Sequence, residues 1–137
     1  MTVVHADVTE TPIDADTLEA LVLSSTDGAL VTFRGVVREL DGGREVNALD
    51  YSSHPDAARI LRETCESVAA ETGVTLAAVH RVGALTVGDV ALVAVAASPH
   101  RGDAFAACQL LVDRIKVEVP IWKKQHYPDG ESDWVGL

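Results

Sequence analysis

The chain has 137 residues, of which 47% are hydrophobic and 23% are charged, and these values are typical of one globular domain over residues 1–137. The formal net charge of −10 argues against nucleic acid or an anionic membrane surface as a partner. No apolar stretch approaches the ~20 residues of a membrane helix, and the first residues have no secretory signal pattern. We therefore expect a cytoplasmic protein.

The first part of the chain predicts a strand, a helix and a β-hairpin. Val3–Val8 alternates like an edge strand, and a short helix of about Asp14–Ser24 follows it. The β-rich run Gly28–Arg38 is separated by Asp41–Gly43 from a second strand at Val46–Tyr51. Since the intervening turn is rich in glycine, we predict that these two strands pair as a hairpin.

The second part predicts two long helices and a central strand. A helix of about Pro55–Thr72 begins at a proline and ends before a glycine, and Val74–Val82 follows as a strand. Val90–Ser98 is apolar on both faces, which indicates the middle of a sheet. A third helix, about Gly102–Val119, ends at a proline, and Ile121–Tyr127 is extended. The order of elements predicts an α+β fold with flanking helices and a mainly antiparallel sheet.

Basic residues concentrate near the end of this acidic chain. Residues 1–33 contain no lysine or arginine, and all three lysines (Lys116, Lys123 and Lys124) lie within nine residues. A basic region in an acidic body suits a small anionic ligand. A chance cluster on a solvated face explains the charges equally well.

The third helix contributes two candidate binding features. His100 and Arg101 come at its start, where backbone N–H groups attract anions; alternatively, His100 caps the helix and Arg101 is a surface residue. Near its end, Lys116 borders a predicted apolar stripe that begins at Phe105. A lysine in that position either extends to solvent or points into a pocket, where it can act as a base or nucleophile.

Two further basic residues lie on predicted strands. An extended backbone places Lys123 on one face with Ile121 and Gln125, and Lys124 on the other. Arg38, at the predicted hairpin tip, suits a ligand-binding arginine or a surface charge. From the residues alone, the hypothesis is an anion pocket made of Arg38, His100, Arg101, Lys116 and Lys123.

Other chemistry has little support in the sequence. Cys65 and Cys108 fall on apolar helix faces, where a cysteine behaves as a small hydrophobic residue. The histidines show no metal-ligand spacing, and no P-loop, GxGxxG or GxSxG motif is present. We expect no bound metal or cofactor.

Most of the chain resembles the large, catalytic subunit of molybdopterin synthase. The resemblance runs from about Gly28 to Val135 and includes the combination of His-Arg with Pro-Ile-Trp-Lys-Lys. The matching segments are Phe33–Arg38, Val46–Tyr51, His80–Asp89, His100–Phe105 and Lys116–Lys124. It implies the α/β-hammerhead fold with a protruding β-hairpin, and a homodimer that carries one small subunit at each end.

The resemblance also implies the reaction. In the family, sulfur moves from a thiocarboxylate on the C-terminal Gly-Gly tail of a small ubiquitin-like subunit to cyclic pyranopterin monophosphate (precursor Z). The product is the dithiolene of molybdopterin, an intermediate of molybdenum cofactor biosynthesis. This chain would need no sulfur nucleophile of its own, because the small subunit brings the sulfur.

Residue roles are carried over by position. Lys123 would engage the reacting carbon or the thiocarboxylate, and Lys116 would assist proton transfer and bind the tail. In the family, the His-Arg pair reaches the pocket from the other subunit. Together with the two lysines, the residues expected to bind substrate are Val36, Val37, Arg38, His100, Arg101, Lys124 and Gln125.

This chain departs from the family in two places, and two alternatives stay open. The family often continues past the Trp-Val pair with an arginine-bearing tail, where this chain has Gly136 and Leu137, so we expect a difference in substrate affinity or pocket closure. It also often has a glutamate soon after the Tyr51 position, where this chain has two serines. One alternative is a non-catalytic paralogue that binds the ubiquitin-like subunit or a pterin phosphate. The other is an unrelated phosphate-ester enzyme.

Overall fold

The computed structural model describes residues 2–41 and 43–136. The helices are α1 (Ala15–Val22), α2 (Ala57–Thr72) and α3 (Arg101–Glu118). The strands are β1 (Val3–Thr9), β2 (Ala29–Val36), β3 (Leu40–Asp41), β4 (Arg44–Glu45), β5 (Ala48–Ser53), β6 (Thr75–Arg81), β7 (Gly83–Thr86), β8 (Val90–Ser98), β9 (Ile121–His126) and β10 (Ser132–Gly136). Helices and mainly antiparallel strands together confirm the α+β prediction.

The first sheet has the strand order β1-β6-β8-β2, and only its β1–β6 pair is parallel. Strand β8 is central, and its residues from Ala91 to Ser98 are all buried. One face of the sheet packs against α2 and α3 through residues such as Ala94 and Ala96. The other face packs against α1 through Val93 and Val95. Covering both faces explains why the β8 sequence is continuously apolar.

The second sheet corrects the predicted hairpin. Its order is β10-β9-β5-β7, with every pair antiparallel. Strand β2 pairs with β8 in the first sheet, whereas β5 pairs with β7 and β9 in the second, so the predicted pairing of Gly28–Arg38 with Val46–Tyr51 is wrong. Strand β2 aligns eight residues with the central strand β8, a longer ladder than the six residues of β5 would allow.

A short hairpin nevertheless occupies the glycine-rich turn. Leu40 and Asp41 of β3 pair with Glu45 and Arg44 of β4. Gly42 of the predicted turn lies outside the described residues. The hairpin is therefore formed by the two residue pairs of β3 and β4. It is not the long hairpin of Gly28–Arg38 with Val46–Tyr51 that the sequence predicts.

The predicted helices are confirmed to within a few residues, and their ends have recognisable causes. The Asp14 side chain accepts hydrogen bonds from the Thr17 backbone N–H and hydroxyl and so caps α1. Helix α2 ends at Gly73, whose φ of 71° suits glycine. Helix α3 ends immediately before the segment that contains Pro120.

The buried face of α3 differs from the predicted stripe. Phe105 is 61% exposed, although the stripe was expected to include it. The helix packs through Ala104, Ala107, Cys108, Leu111, Val112 and Ile115. Because Ala104 and Ala107 belong to this buried face, it lies further round the helix than the predicted stripe, and Phe105 and Lys116 lie at its exposed border.

No helix within residues 2–41 and 43–136 is both long and apolar enough to cross a membrane.

Candidate active site

A cleft of about 300 Å³ opens where the two sheets meet beside the last turns of α3. Its walls include apolar side chains from both sheets and from the helix, among them Phe33, Leu49, Leu92 and Ile115. Polar and charged groups are added to this apolar lining by Arg38, Asp41, Tyr51, His80, Lys116, Lys123 and Gln125. A concave apolar site with a few convergent polar groups is the usual form of a small-molecule site.

Three cations reach the cleft from separate parts of the chain. Arg38 follows β2, Lys116 lies in the last turn of α3, and Lys123 lies on β9. Alternation along β9 buries Ile121 and Gln125 on the Lys123 face, as the sequence predicts. The Lys123 side chain is only 21% exposed, whereas that of Arg38 is 75% exposed. Lys123 is therefore the cation held deeper in the cleft.

Asp41 faces these cations from β3. Its carboxylate lies 3.0 Å from Arg38 Nη2 and 3.7 Å from Lys123 Nζ, and it accepts a hydrogen bond from Gln125 Nε2. The Gln125 hydrogen bond, followed by the charges of Lys123 and Arg38, lowers the pKa of the Asp41 carboxyl against the opposing effect of burial. The group is therefore ionised at neutral pH, and the cleft contains one carboxylate beside its three cations.

A neutral aromatic pair lines another part of the cleft. Tyr51 and His80 meet edge to face, with ring centroids 5.2 Å apart. Burial lowers the pKa of His80 and raises that of Tyr51, so neither is charged at neutral pH. The His80 Nδ1 lies 2.8 Å from the Arg81 carbonyl oxygen; this contact requires a proton on Nδ1 of the neutral ring and leaves Nε2 as an acceptor.

Three of the predicted site residues lie elsewhere in the chain. His100 is the N-cap residue of α3 without a side-chain capping hydrogen bond, and both it and Arg101 are exposed. At 1.5 Å per residue, Arg101 is about 22 Å along the helix from Lys116. Lys124 points away from the cleft and lies 5.6 Å from the centroid of the Trp134 ring. A single chain thus brings together Val36, Val37, Arg38, Lys116, Lys123 and Gln125 only.

The described residues contain no group of three or more histidine, cysteine or acidic side chains arranged to hold a metal ion.

Comparison with known proteins identifies the family. The sequence model described as "MoaE protein" matches residues 8–118, which is well over half of the chain. The chain belongs to the MoaE family. The matched region runs from β1 to the end of α3 and so includes Arg38, Asp41 and Lys116.

Individual relatives of this MoaE-family chain extend the match. A molybdopterin synthase catalytic subunit of Nostoc sp. is 35% identical over 95% of this chain and 81% of its own length. Catalytic subunit 1 of Mycobacterium tuberculosis is 38% identical over 96% and 90%, respectively. The crystal structure of molybdopterin synthase from Staphylococcus aureus superposes with a TM-score of 0.90 at 34% identity, over 96% of this chain and 97% of that one. The family is thus that of an enzyme of molybdopterin biosynthesis.

Sequence reasoning missed three polar residues of the cleft. Asp41 precedes two glycines, so its sequence context predicts only a turn, and His80 belongs to a family-like segment but shows no pattern that indicates a role. Tyr51 was placed correctly on a strand but without a role. The spacing of Arg38 and Asp41 is a signal for an ion pair, but Glu39 is closer to Arg38 in the sequence, and the contact of Asp41 with Lys123 exists only when the β3–β4 hairpin lies against β9.

Proposed function

We propose that this chain is the catalytic, sulfur-transferring subunit of a molybdopterin synthase. The sulfur donor is the C-terminal thiocarboxylate of a small ubiquitin-like subunit, and the acceptor is cyclic pyranopterin monophosphate. The observation that carries the proposal is the convergence of Arg38, Lys116 and Lys123 on one apolar cleft. Membership in the MoaE family and the names of its relatives support the same reaction.

Charge in the cleft fits two anionic reactants. Three cations against the single carboxylate of Asp41 leave the cleft with a net positive charge, although the whole chain carries −10. A cationic cleft in an acidic protein concentrates anions at one place on the surface. Both the cyclic phosphate and the thiocarboxylate tail are anions, so each would find a counter-charge there.

The lysines divide the chemistry between them. Lys123, held among apolar residues on β9, engages the reacting carbon or the thiocarboxylate, and a fixed cation is most effective where water is excluded. Lys116, at the more open border of α3, assists proton transfer and binds the tail. Arg38 binds the phosphate and pterin, while Val36, Val37 and Gln125 complete the surface around the substrate.

His100 and Arg101 would serve a neighbouring cleft. They lie too far along α3 to reach the lysines of their own chain, yet their exposure leaves them free to enter the cleft of a second copy. The proposal therefore includes a homodimer within a heterotetramer, with two small subunits. Lys124, which lies outside the cleft of its own chain, would likewise take part only at the cleft of a second copy.

A reconstituted assay tests the proposal. The purified chain is mixed with cyclic pyranopterin monophosphate and a small subunit carrying a C-terminal thiocarboxylate, and molybdopterin is measured as the product. The matched control replaces the thiocarboxylate with the ordinary carboxylate, and no product is expected from it. Binding of both reactants without product would contradict catalysis and indicate a non-catalytic paralogue.

Both cysteines should be dispensable for this reaction. They are buried, and burial raises the pKa of Cys65 to about 12 and also raises that of Cys108, so neither is a ready nucleophile. We expect Cys65→Ser and Cys108→Ser to keep wild-type turnover per folded molecule, with a stability loss on the order of 1–3 kcal/mol.

Thermal unfolding and single-turnover assays of both serine variants measure these two effects separately. An inactive but folded Cys108→Ser protein, or a persulfide trapped on either cysteine by mass spectrometry, would contradict a sulfur supply from the small subunit.

A further inference from the structure

We propose that Asp41 is a positioning residue, which holds the Lys123 ammonium group in the orientation required for sulfur transfer. The inference rests on the proposed function and extends it to a residue for which the sequence offered no role. It is carried by three sets of contacts: those of Asp41 with the cations, those that hold the Asp41 carboxylate, and those that hold its hairpin.

The first set places Asp41 against the catalytic lysine. Its carboxylate is 3.7 Å from Lys123 Nζ, and the side chains of both residues are nearly four-fifths buried. The contact with Arg38 is shorter, at 3.0 Å, but the Arg38 side chain is 75% exposed. Because solvent screens an exposed pair far more than a mostly buried one, the pair with Lys123 is the one that constrains a side chain.

The second set holds the carboxylate from behind. The amide nitrogen of Gln125, a residue only 3% exposed, donates to Asp41 Oδ2. Gln125 Oε1 in turn lies 3.1 Å from the buried hydroxyl of Tyr127, and Asp133 Oδ2 lies 3.0 Å from the same hydroxyl, which donates its one proton to either acceptor. The hydrogen bond from buried Gln125, which itself contacts Tyr127, leaves the Asp41 carboxylate little freedom to turn away from Lys123.

The third set holds the hairpin itself. Arg44, which pairs with Asp41 in the β3–β4 ladder, lies 3.6 Å from the centroid of the Tyr127 ring. It also forms ion pairs of 2.9 Å with Asp129 and 2.7 Å with Glu131, in the turn before β10. Tyr127 therefore supports both the hairpin and Gln125, so Asp41 and Lys123 belong to one connected arrangement.

A positioning role explains why an acid stands in a cleft for anions. A carboxylate repels an anionic ligand and by itself weakens binding. This cost is offset if the carboxylate fixes the direction of a flexible lysine, since the lysine side chain otherwise samples many rotamers. Misplacement of a reacting group by about 1 Å can cost about 10²-fold in rate.

The kinetic test uses Asp41→Asn, which keeps the size and the acceptor for Gln125 but removes the charge. We expect kcat for sulfur transfer to fall about 10- to 100-fold, with KM for the pterin phosphate unchanged or lower because a repulsive charge is gone. Glu45→Gln is the matched control, since it removes an exposed acid from the same hairpin, and it should retain wild-type kinetics. An unchanged kcat, or an increase in KM alone, would overturn the proposal.

A second measurement follows Lys123 directly, without sulfur transfer. Limited reductive methylation uses formaldehyde with dimethylamine–borane as the reductant, both of which are uncharged, and the extent of modification is measured for each lysine by mass spectrometry. Since the ion pair shields the Lys123 amine, Asp41→Asn should raise the methylation of Lys123 about threefold relative to that of Lys124, as the modest worth of such a pair suggests. The methylation of Lys116 relative to that of Lys124 should stay constant. An unchanged Lys123 ratio in the folded variant would show that Asp41 does not hold Lys123.

The two measurements separate this inference from the proposed function. If the wild-type chain does not transfer sulfur, the proposed function is wrong. The methylation of Lys123 relative to Lys124 would still show whether Asp41 holds Lys123. Gln125→Leu provides an independent variant, because it removes the donor to Asp41. Its kcat effect should be smaller than that of Asp41→Asn and should not add to it in the double variant, since both act through Lys123. Fully additive effects would contradict the connected arrangement.

Discussion

Lys123→Ala is expected to lose nearly all sulfur transfer while the protein stays folded. The loss should be about 10²–10⁴-fold in kcat, as is typical when a positioned charge or proton-transfer group is removed. The fold should tolerate the change, because the substitution removes a charged side chain at the cleft surface and leaves the neighbouring Ile121 and Gln125 in place. Burial of those two residues, and not the lysine, holds β9 against the core.

The structure gives a specific reason for the size of this effect. Lys123 lies beside Asp41 with its side chain only 21% exposed, and removing a fixed charge from a part of the cleft that largely excludes water is especially costly. Lys116 is more exposed, and its alanine variant should be severe but less complete. Lys123→Arg keeps the charge but changes the geometry and proton chemistry, so partial recovery in that variant would assign the role to charge.

Single-turnover kinetics with the thiocarboxylated small subunit measure the loss of sulfur transfer. A circular dichroism spectrum and a melting curve measure whether the variant stays folded. Arg59→Ala is a suitable control, since it removes one positive charge from an exposed ion pair with Glu63 on α2, and full activity is expected. If Lys123→Ala kept turnover within a few-fold of wild type, the assignment of Lys123 as a catalytic residue would be wrong.

Local patterns predicted the elements that depend on burial and capping. The doubly apolar run of β8 indicated a central strand, and the packing of α1 on one face and of α2 and α3 on the other shows why. Proline and glycine placed the ends of the long helices, since both act within a few residues. Alternation along β9 placed Lys123 beside Ile121, because strand geometry determines which side chains share a face.

Pairing between distant segments could not be read in the same way. The predicted hairpin assumed that neighbours in sequence pair, whereas β2 found its partner in β8, some sixty residues later. β7 was missed because only Leu85 of its four residues is buried, which leaves little hydrophobic pattern. Asp41 is important only once the hairpin, β5 and β9 are assembled, so no local pattern indicated its contacts.

The residues at the start of α3 raise a different problem, because one chain cannot use them at its own cleft. His100 and Arg101 were predicted to share a pocket with Lys116 and Lys123, but a straight helix keeps them about 22 Å from Lys116. They either serve a second copy of the chain or take no part in the reaction. An activity measurement on mixed variants distinguishes these two possibilities.

If the pair acts across a dimer, two inactive proteins should restore each other. One homodimer carries Lys123→Ala, and the other carries His100→Ala with Arg101→Ala; each should have little activity alone. After exchange of subunits, every mixed dimer has one cleft with all of the substitutions and one cleft with none, as two-fold symmetry requires. Random exchange makes about half of the dimers mixed, each with one intact cleft of two, so about a quarter of wild-type activity should return.

The measurement needs proof of exchange and a control for simple mixing. Native mass spectrometry of differently tagged chains counts the mixed dimers, and a sample assayed before exchange gives the baseline. Mixing Lys123→Ala with Lys116→Ala is the matched negative control, because both substitutions belong to the cleft of one chain and every cleft in a mixed dimer stays defective. Verified exchange without recovered activity would show that each cleft is built within a single chain. The exposed pair at the start of α3 would then have no part in catalysis, and Arg38, Lys116 and Lys123 would have to bind both anions without help.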